Sequence, residues 1–244
     1  MPATLERKRK NGFVLGVDGC PYGWVFVALS YDESQSHSGV VKTIDDLLSG
    51  PGRDASVIMI DMPIGLKDLG KRQCENDARQ FLGKRRSSIF PSPRRRMLEF
   101  DHYADANQWG KDHGAGLSKQ SWNILHKIRE LDQVMTPTLQ CKAKEAHPEV
   151  AFTRLKGMPC DNPKKHALGK AERLKALADN NFPVSPEDLY LKLMKHHRAK
   201  DVKRDDLIDA CALALTGTAF MKGEHVRFAD DNKDAHGLSL EIHG

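Results

Sequence analysis

The sequence predicts an α/β domain in which helices pack on a β-sheet, and three patterns lead to this prediction. Two apolar runs, 13–18 and 23–29, are joined by a tight connection, as the strands of a β-hairpin are. A further apolar run, 57–60, has the short and continuous hydrophobicity of a buried strand. Residues 205–220 instead repeat apolar side chains at helical spacing, which predicts a long helix on the same core.

The elements between these patterns have weaker signals. A third strand is expected at 39–43, continuing the meander, and a short helix at 44–48 with Thr43 as its cap. Residues 118–134 predict a longer amphipathic helix, because their apolar side chains fall on one face. The remaining predicted elements are a helix at 71–82, a short strand at 141–146, a helix at 149–155 with Pro148 in its first turn, and a helix at 169–179.

Composition excludes several classes of protein. The chain has 244 residues, enough for one generous domain or for a domain that carries an insertion. A chain that is 39% hydrophobic and 29% charged is neither a membrane protein nor a disordered acidic one, and we expect no membrane partner. Its five cysteines form no metal-binding pair, which favours a reducing, cytoplasmic setting. We expect a single domain over 12–220, with 1–11 and 221–244 as flexible tails.

Positive charge is concentrated in one part of the chain, 67–96, which we call the basic segment. It contains ten Lys and Arg against three acids, a formal charge of +7, whereas the rest of the chain sums to −2. Residues 83–117 are too long for an ordinary connection and are predicted to belong to a functional insertion at about 67–135. The segment would suit phosphate contacts and base stacking, or it would be a solvated basic loop without a partner.

Acidic residues recur where apolar elements end. Asp18, Asp61 and Glu145 each follow or end a predicted strand, and Asp206 and Asp209 share one face at the start of the last helix. Such oxygen ligands suit hard divalent cations, two of which can assist phosphodiester cleavage. The alternative is that the acids are only helix caps and turn formers.

An ordered set of motifs resembles a family of predicted nucleases with a ribonuclease H-like fold, catalogued as domain of unknown function number 429. The matching pieces run in order over roughly residues 12 to 220. They are Gly16-Val-Asp-Gly-Cys-Pro-Tyr-Gly-Trp24, Ile60-Asp-Met-Pro-Ile-Gly-Leu66, Arg72-x-Cys-Glu-x-Asp-Ala-Arg79, Ser87-Ser-Ile-Phe90, Gly116-Leu-Ser-x-Gln-x-Trp122, Lys127-Ile-x-Glu-x-Asp132, Glu145-Ala-His-Pro-Glu-Val-Ala-Phe152 and Asp205-Asp-x-x-Asp-Ala210.

The resemblance implies a mixed five-stranded sheet, with three antiparallel strands first, flanked by helices and interrupted by a large insertion of helices and loops. It also implies that the acids gather at the carboxyl edge of the sheet. Asp18 corresponds to the acid of the first strand, Asp61 to that of the fourth, and Glu145 to the family's Glu-x-His-Pro element. Asp206 and Asp209 match the paired acids of the last helix.

We therefore expect a nuclease that depends on Mg²⁺ or Mn²⁺ and hydrolyses DNA or RNA. The ions would be held by Asp18, Asp61, Asp206 and Asp209, and Glu145 would complete the catalytic acids. Two other functions remain open, a nucleic-acid-binding module without cleavage and a metal-dependent nucleotide phosphohydrolase or phosphotransferase. The basic residues expected to contact phosphates are Arg85, Arg86, Arg94, Arg95, Arg96, Lys165 and Arg173.

Overall fold

A mixed five-stranded β-sheet lies at the centre of the computed structural model, which describes residues 12–244. The predicted N-terminal tail, 1–11, lies outside the described residues. The strand order is β3-β2-β1-β4-β5, in which the first three strands along the chain are antiparallel and β4 and β5 run parallel to β1. This is the ribonuclease H-like layout, and it confirms the predicted fold class. The strands are β1 (Phe13–Gly19), β2 (Trp24–Ser30), β3 (Ser36–Val41), β4 (Ile58–Ile60) and β5 (Ala143–Glu145).

Helices cover both faces of this sheet because alternate residues of each strand point to opposite sides. On one face, Val14, Val25 and Met59 pack in a core that includes side chains of the last helix. On the other face, Leu15 and Ile58 pack in a second core. The helices are α1 (Ile44–Ser49), α2 (Gln73–Leu82), α3 (Tyr103–Asp112), α4 (Lys119–Asn123), α5 (Leu125–Val134), α6 (Pro137–Gln140), α7 (Pro148–Lys156), α8 (Ala167–Asp179), α9 (Pro186–Leu193) and α10 (Arg204–Lys222), with 3₁₀ turns at Gly83–Ser88 and Arg95–Glu99. Among residues 12–244, no helix has the length and hydrophobicity that crossing a membrane requires.

Helix α10 lies directly against β1, and Gly16 makes this close packing possible. A Cβ atom at Gly16 would lie 2.0 Å from the carbonyl oxygen of Ala210 and 2.3 Å from the backbone nitrogen of Ala214. Small side chains on the helix and no side chain on the strand therefore let the two backbones touch. This packing fixes the start of α10 relative to the carboxyl end of β1.

The long amphipathic helix predicted at 118–134 is two segments, so this prediction is wrong in part. Ser118 caps α4 by accepting a hydrogen bond from the Ser121 backbone, and the helix ends at Ile124, where φ is −104° and ψ is 2°. Helix α5 then begins at Leu125, with its buried residues, including Ile128, on the sheet. The apolar pattern continues across the break because both segments face the same core.

The expectation that 221–244 is a loose tail is also wrong. Residues Arg227–Lys233 (β6) and Ser239–His243 (β7) pair as an antiparallel hairpin. Leu240 and Ile242 are buried against side chains of α2 and α7, and the Asp234 carboxylate accepts a hydrogen bond from Arg95 at 2.5 Å. The alternation of Leu238, Leu240 and Ile242 is the signal of a strand, and polar residues around it concealed it.

The Gly16→Ala variant is predicted to lose roughly 2 kcal/mol or more of unfolding free energy, since the added methyl meets backbone atoms that cannot rotate away. Urea denaturation followed by circular dichroism measures the loss. A change below about 0.5 kcal/mol would show that α10 is not held against β1 at this residue.

The Leu240→Ala variant is predicted to lose about 2–4 kcal/mol of unfolding free energy, because Leu240 is 1% exposed and its removal leaves a cavity beneath the hairpin. Lys233→Ala, an exposed substitution in β6, is the matched control and should be neutral. Equal stability of both variants in urea would mean that the C-terminal residues are a tail after all.

Candidate active site

Five acids meet in one cavity of about 630 Å³, which we call the acidic cavity. Its walls come from the carboxyl ends of β1, β4 and β5 and from the first turns of α10. Parallel neighbouring strands end at the same edge of a sheet, and the contact between α10 and β1 adds the helix acids to that edge. The five are Asp18, Asp61, Glu145, Asp206 and Asp209, the acids that the sequence singled out, and Glu75 and Glu149 also line the cavity.

Burial and mutual repulsion raise the pKa values of carboxyl groups in this cavity. Burial raises the pKa of Asp18 well above its ordinary value, and the charges of Asp61 and Asp209 raise it further. Burial, followed by the charge of Asp209, raises the pKa of Asp61 to about 8. Burial also raises the pKa of Asp206 to about 6, against the hydrogen bond that its carboxylate accepts from the Lys203 backbone. If all of these carboxyl groups were ionised, the cavity would therefore carry more negative charge than its surroundings stabilise.

Lys164 is the cation that enters this cluster. Its Nζ lies 2.5 Å from Oδ2 of Asp209, and this carboxylate is the main reason that the pKa of Lys164 is raised. Asp209 is 1% exposed, so the carboxylate of this pair is shielded from water, whereas the Lys164 side chain is half-buried. The lysine predicted from the sequence is the neighbouring Lys165, which is exposed and points to a different cavity. No local pattern distinguishes these two consecutive lysines, because the partner of Lys164 is 45 residues away.

Glu145 does not fit the role of a metal ligand in this structure. Its Oε2 accepts hydrogen bonds from the Ile64 backbone at 2.7 Å and from Arg72 at 2.5 Å, and its Oε1 accepts a second bond from Arg72 at 3.1 Å. Arg72 is 2% exposed and also donates to the hydroxyl of Ser92 at 2.9 Å. Both oxygens of Glu145 are thus occupied in linking β5 to the loop after β4 and to the basic segment.

Three of the basic residues predicted to contact phosphates are structural instead. Arg94 is 6% exposed and donates to the backbone oxygens of Gly110 and Ala115. Arg95 is bound by Asp132 and by Asp234 of the hairpin. Arg173 is 1% exposed and is paired with the buried Glu149. The prediction is wrong for these three because interior acceptors already use their guanidinium groups.

The other predicted basic residues keep exposed or cavity-facing positions. Arg85 lines the acidic cavity, with its guanidinium 3.6 Å from the Glu149 carboxylate. Arg86 and Arg96 are exposed, and Arg96 pairs with the neighbouring Glu99.

Two further lysines that the sequence did not single out also line the acidic cavity, Lys127 and Lys203. Lys127 donates to the Gly23 carbonyl at 2.6 Å and lies over the Trp24 ring, 4.7 Å from its centre. Burial lowers the pKa of Lys127. Helix periodicity offered a signal for Lys127, because it interrupts the apolar face of α5 next to Ile128.

The loop after α2 forms the opposite wall of the cavity. Ser88, Ile89 and Phe90 line it, and the Phe90 ring is 44% exposed. His147 supports this wall, since its Nε2 lies 3.4 Å from the Ser88 carbonyl while its Nδ1 accepts a hydrogen bond from the Glu149 backbone. Burial lowers the pKa of His147 to about 4, so the imidazole is neutral and acts as a helix cap. Phe90 is therefore the aromatic side chain that a bound molecule in the cavity would meet.

The donor set fits a hard divalent cation in its chemistry, because four carboxylates share the cavity and repel one another. The side chains do not form a finished ligand set: within residues 12–244, no three His, Cys, Asp or Glu side chains are grouped to hold a metal ion. The ammonium group of Lys164 neutralises Asp209 instead. One ammonium group cannot balance four carboxylates, so a cation bound among Asp18, Asp61, Asp206 and Asp209 would compensate the remaining charge.

In metal-free buffer, the unfolding free energy is predicted to fall as the pH rises from about 4 to about 8. The folded protein holds the Asp61 proton up to a pKa of about 8, whereas the unfolded chain releases it near 3.8, so the unfolded state binds fewer protons in this window. In the Asp61→Asn variant, the decrease in unfolding free energy over this pH range should be smaller by roughly 1–3 kcal/mol.

Urea unfolding at pH 5.5 and pH 8 measures the difference, with Asp54→Asn as the control because its side chain is 76% exposed on the surface. Added Mn²⁺ should raise the unfolding midpoint of the unaltered protein at pH 8 more than that of Asp61→Asn, since a ligand of the folded state stabilises it. Equal pH dependence in all three proteins would contradict the charge assignment.

Comparison with known proteins identifies a family. The family described as "Protein of unknown function (DUF429)" matches residues 16–234, which include the five acids that the sequence singled out. No curated protein and no solved structure matches the chain significantly. The match spans nearly all of the sequence, and the chain belongs to the DUF429 family.

Proposed function

We propose that the protein is a nuclease that depends on Mg²⁺ or Mn²⁺ and hydrolyses phosphodiester bonds of nucleic acid. The observation that carries this proposal is the convergence of Asp18, Asp61, Asp206 and Asp209 in one cavity that also has lysine and arginine side chains in its walls. Acidic side chains alone would repel a phosphodiester, and basic side chains alone would only bind it. The combination suits a cation and a polyanion together.

Asp18, Asp61, Asp206 and Asp209 would hold the cation, which when bound supplies Lewis acidity and lowers the pKa of a water ligand. Lys164 orients Asp209 through their hydrogen bond, and its charge opposes the effect of burial, which raises the pKa of Asp209. Glu145 acts as a positioning residue, since through Arg72 it holds the loop that carries Ser92. Lys164 and Glu145 thus position other side chains of the cavity and do not contact the reacting phosphate in this proposal.

The walls supply the contacts to the substrate. Arg85, Lys127 and Lys203 present positive charge to a phosphate in the acidic cavity. Phe90 offers an exposed ring on which a base can stack, and such stacking tolerates any base. Sequence-tolerant contacts of this kind suit an enzyme that reads the backbone rather than the base edges.

A metal-dependent nucleotide phosphohydrolase is the second candidate function. The acidic cavity of about 630 Å³ lies in the range of small-molecule sites and could enclose one nucleotide. The two functions differ in substrate length, so nucleoside triphosphates tested beside oligonucleotides separate them. We propose a cytoplasmic location in either case, since the five cysteines are free thiols, which a reducing compartment preserves.

Purified protein is predicted to cleave DNA or RNA with Mg²⁺ or Mn²⁺ and to lose this activity when a chelator is added. Asp18→Asn should abolish cleavage, because it removes a buried carboxylate from the centre of the acid cluster. Gel assays of single-stranded, duplex, hybrid and branched substrates measure the activity.

Asp54→Asn, an exposed acid outside the cavity, should retain full activity and controls for nonspecific effects of charge. Absence of cleavage on every one of the four substrate types would refute the nuclease proposal. Binding that is salt-sensitive but indifferent to metal, without cleavage, would instead identify a nucleic-acid-binding module.

A further inference from the structure

A second cavity of about 340 Å³ adjoins the acidic cavity at the beginnings of α8 and α10. We call it the basic cavity because six cationic side chains line it. Lys164, Lys203 and Asp209 belong to the walls of both cavities, so the two spaces share a wall. The six cations are Lys164, Lys165, Lys170, Arg173, Lys203 and Arg204.

The positive charge of the basic cavity exceeds what the protein itself neutralises. Lys164 pairs with Asp209 and Arg173 pairs with Glu149, while Lys170 and Arg204 share the single carboxylate of Glu187. Asp205 is the remaining acid in the lining. Lys165 and Lys203 have no ion-pair partner among the residues that the structure describes, and both are exposed.

Grouping these cations is unfavourable, because like charges that share a concave surface repel one another. The helix dipole adds to the cost for the lysine and arginine at the start of α10, where a negative charge would be favoured. An anion in the cavity would reverse both effects. Its charge would face the unpaired ammonium groups as well as the positive end of a 19-residue helix.

We infer that the basic cavity binds a backbone phosphate of the nucleic acid strand, next to the phosphate that reacts in the acidic cavity. The inference rests on the proposed function, and it deepens that function by naming a second phosphate subsite. The shared wall of Lys164, Lys203 and Asp209 joins the two sites, so one strand can occupy both. The preferred substrate is then a chain with at least two phosphates.

The Lys165→Ala/Lys170→Ala double variant tests the subsite, because both lysines line the basic cavity and neither lines the acidic cavity, with Lys175→Ala/Lys192→Ala as its control. The control removes the same charge from exposed positions on α8 and α9 that line neither cavity. Binding of a fluorescent single-stranded oligonucleotide of about ten nucleotides is measured in the Asp18→Asn background, which prevents cleavage. The subsite variant should bind about tenfold more weakly than the control, and the slope of log K against log salt should decrease by about 0.7 for each phosphate that the variant no longer binds.

A second measurement uses bis(p-nitrophenyl) phosphate, a diester with one phosphate, on proteins that retain Asp18. This probe fills only the acidic cavity, so its hydrolysis should be weakened far less by the double substitution than cleavage of the oligonucleotide. An increase in KM for the oligonucleotide with little change in kcat would agree with a binding subsite.

The outcomes separate this inference from the proposed function. Oligonucleotide affinity that is equal in the subsite and control variants overturns the basic cavity as a subsite, whether or not the protein cleaves nucleic acid. Loss of affinity in the subsite variant alone, in a protein that cleaves nothing, supports the phosphate subsite and refutes the nuclease. A protein that binds no oligonucleotide even at low salt overturns the inference outright.

Discussion

The backbone contact between β1 and α10 at Gly16 is the constraint on which the rest of the structure depends. It leaves no space for a side chain, so the strand and the helix have one relative position. Asp18 is two residues beyond Gly16 on the strand, and Asp209 is one residue before Ala210 on the helix. This contact thereby determines how close Asp18 and Asp209 are to one another.

Bringing these carboxylates together is energetically unfavourable, and the surrounding structure offsets only part of the cost. Lys164 pairs with the buried Asp209, and Arg72 holds Glu145 with two hydrogen bonds. Asp18 and Asp61 keep raised pKa values even so. Such unfavourable electrostatic repulsion between buried carboxyl groups in a cavity is typical of a functional site, because a protein selected only for stability would not retain it.

The cations of the basic segment and those near the starts of α8 and α10 have different roles in the folded protein. Much of the positive charge of the basic segment is used internally, where Arg72, Arg94 and Arg95 join the insertion to β5, to α3 and to the C-terminal hairpin. Lys165 and Lys203, which have no ion-pair partner among residues 12–244, lie instead at the starts of α8 and α10, outside the basic segment. A count of charge along the sequence therefore located a structural linker, and only the folded chain revealed the cationic surface beside the acids.

The sequence by itself determined the central hairpin, the fourth strand, the last helix and the five acids, because these signals depend on periodicity and on neighbours within a few residues. Tertiary structure decided that Lys164 rather than Lys165 enters the acid cluster and that Glu145 is bound by Arg72, since these partners are 45 and 73 residues apart. It also decided that the last residues form a hairpin, whose Leu240 and Ile242 are buried against side chains of α2 and α7. Local patterns specify which elements form, whereas the partner of a charged side chain depends on contacts between distant parts of the chain that periodicity does not encode.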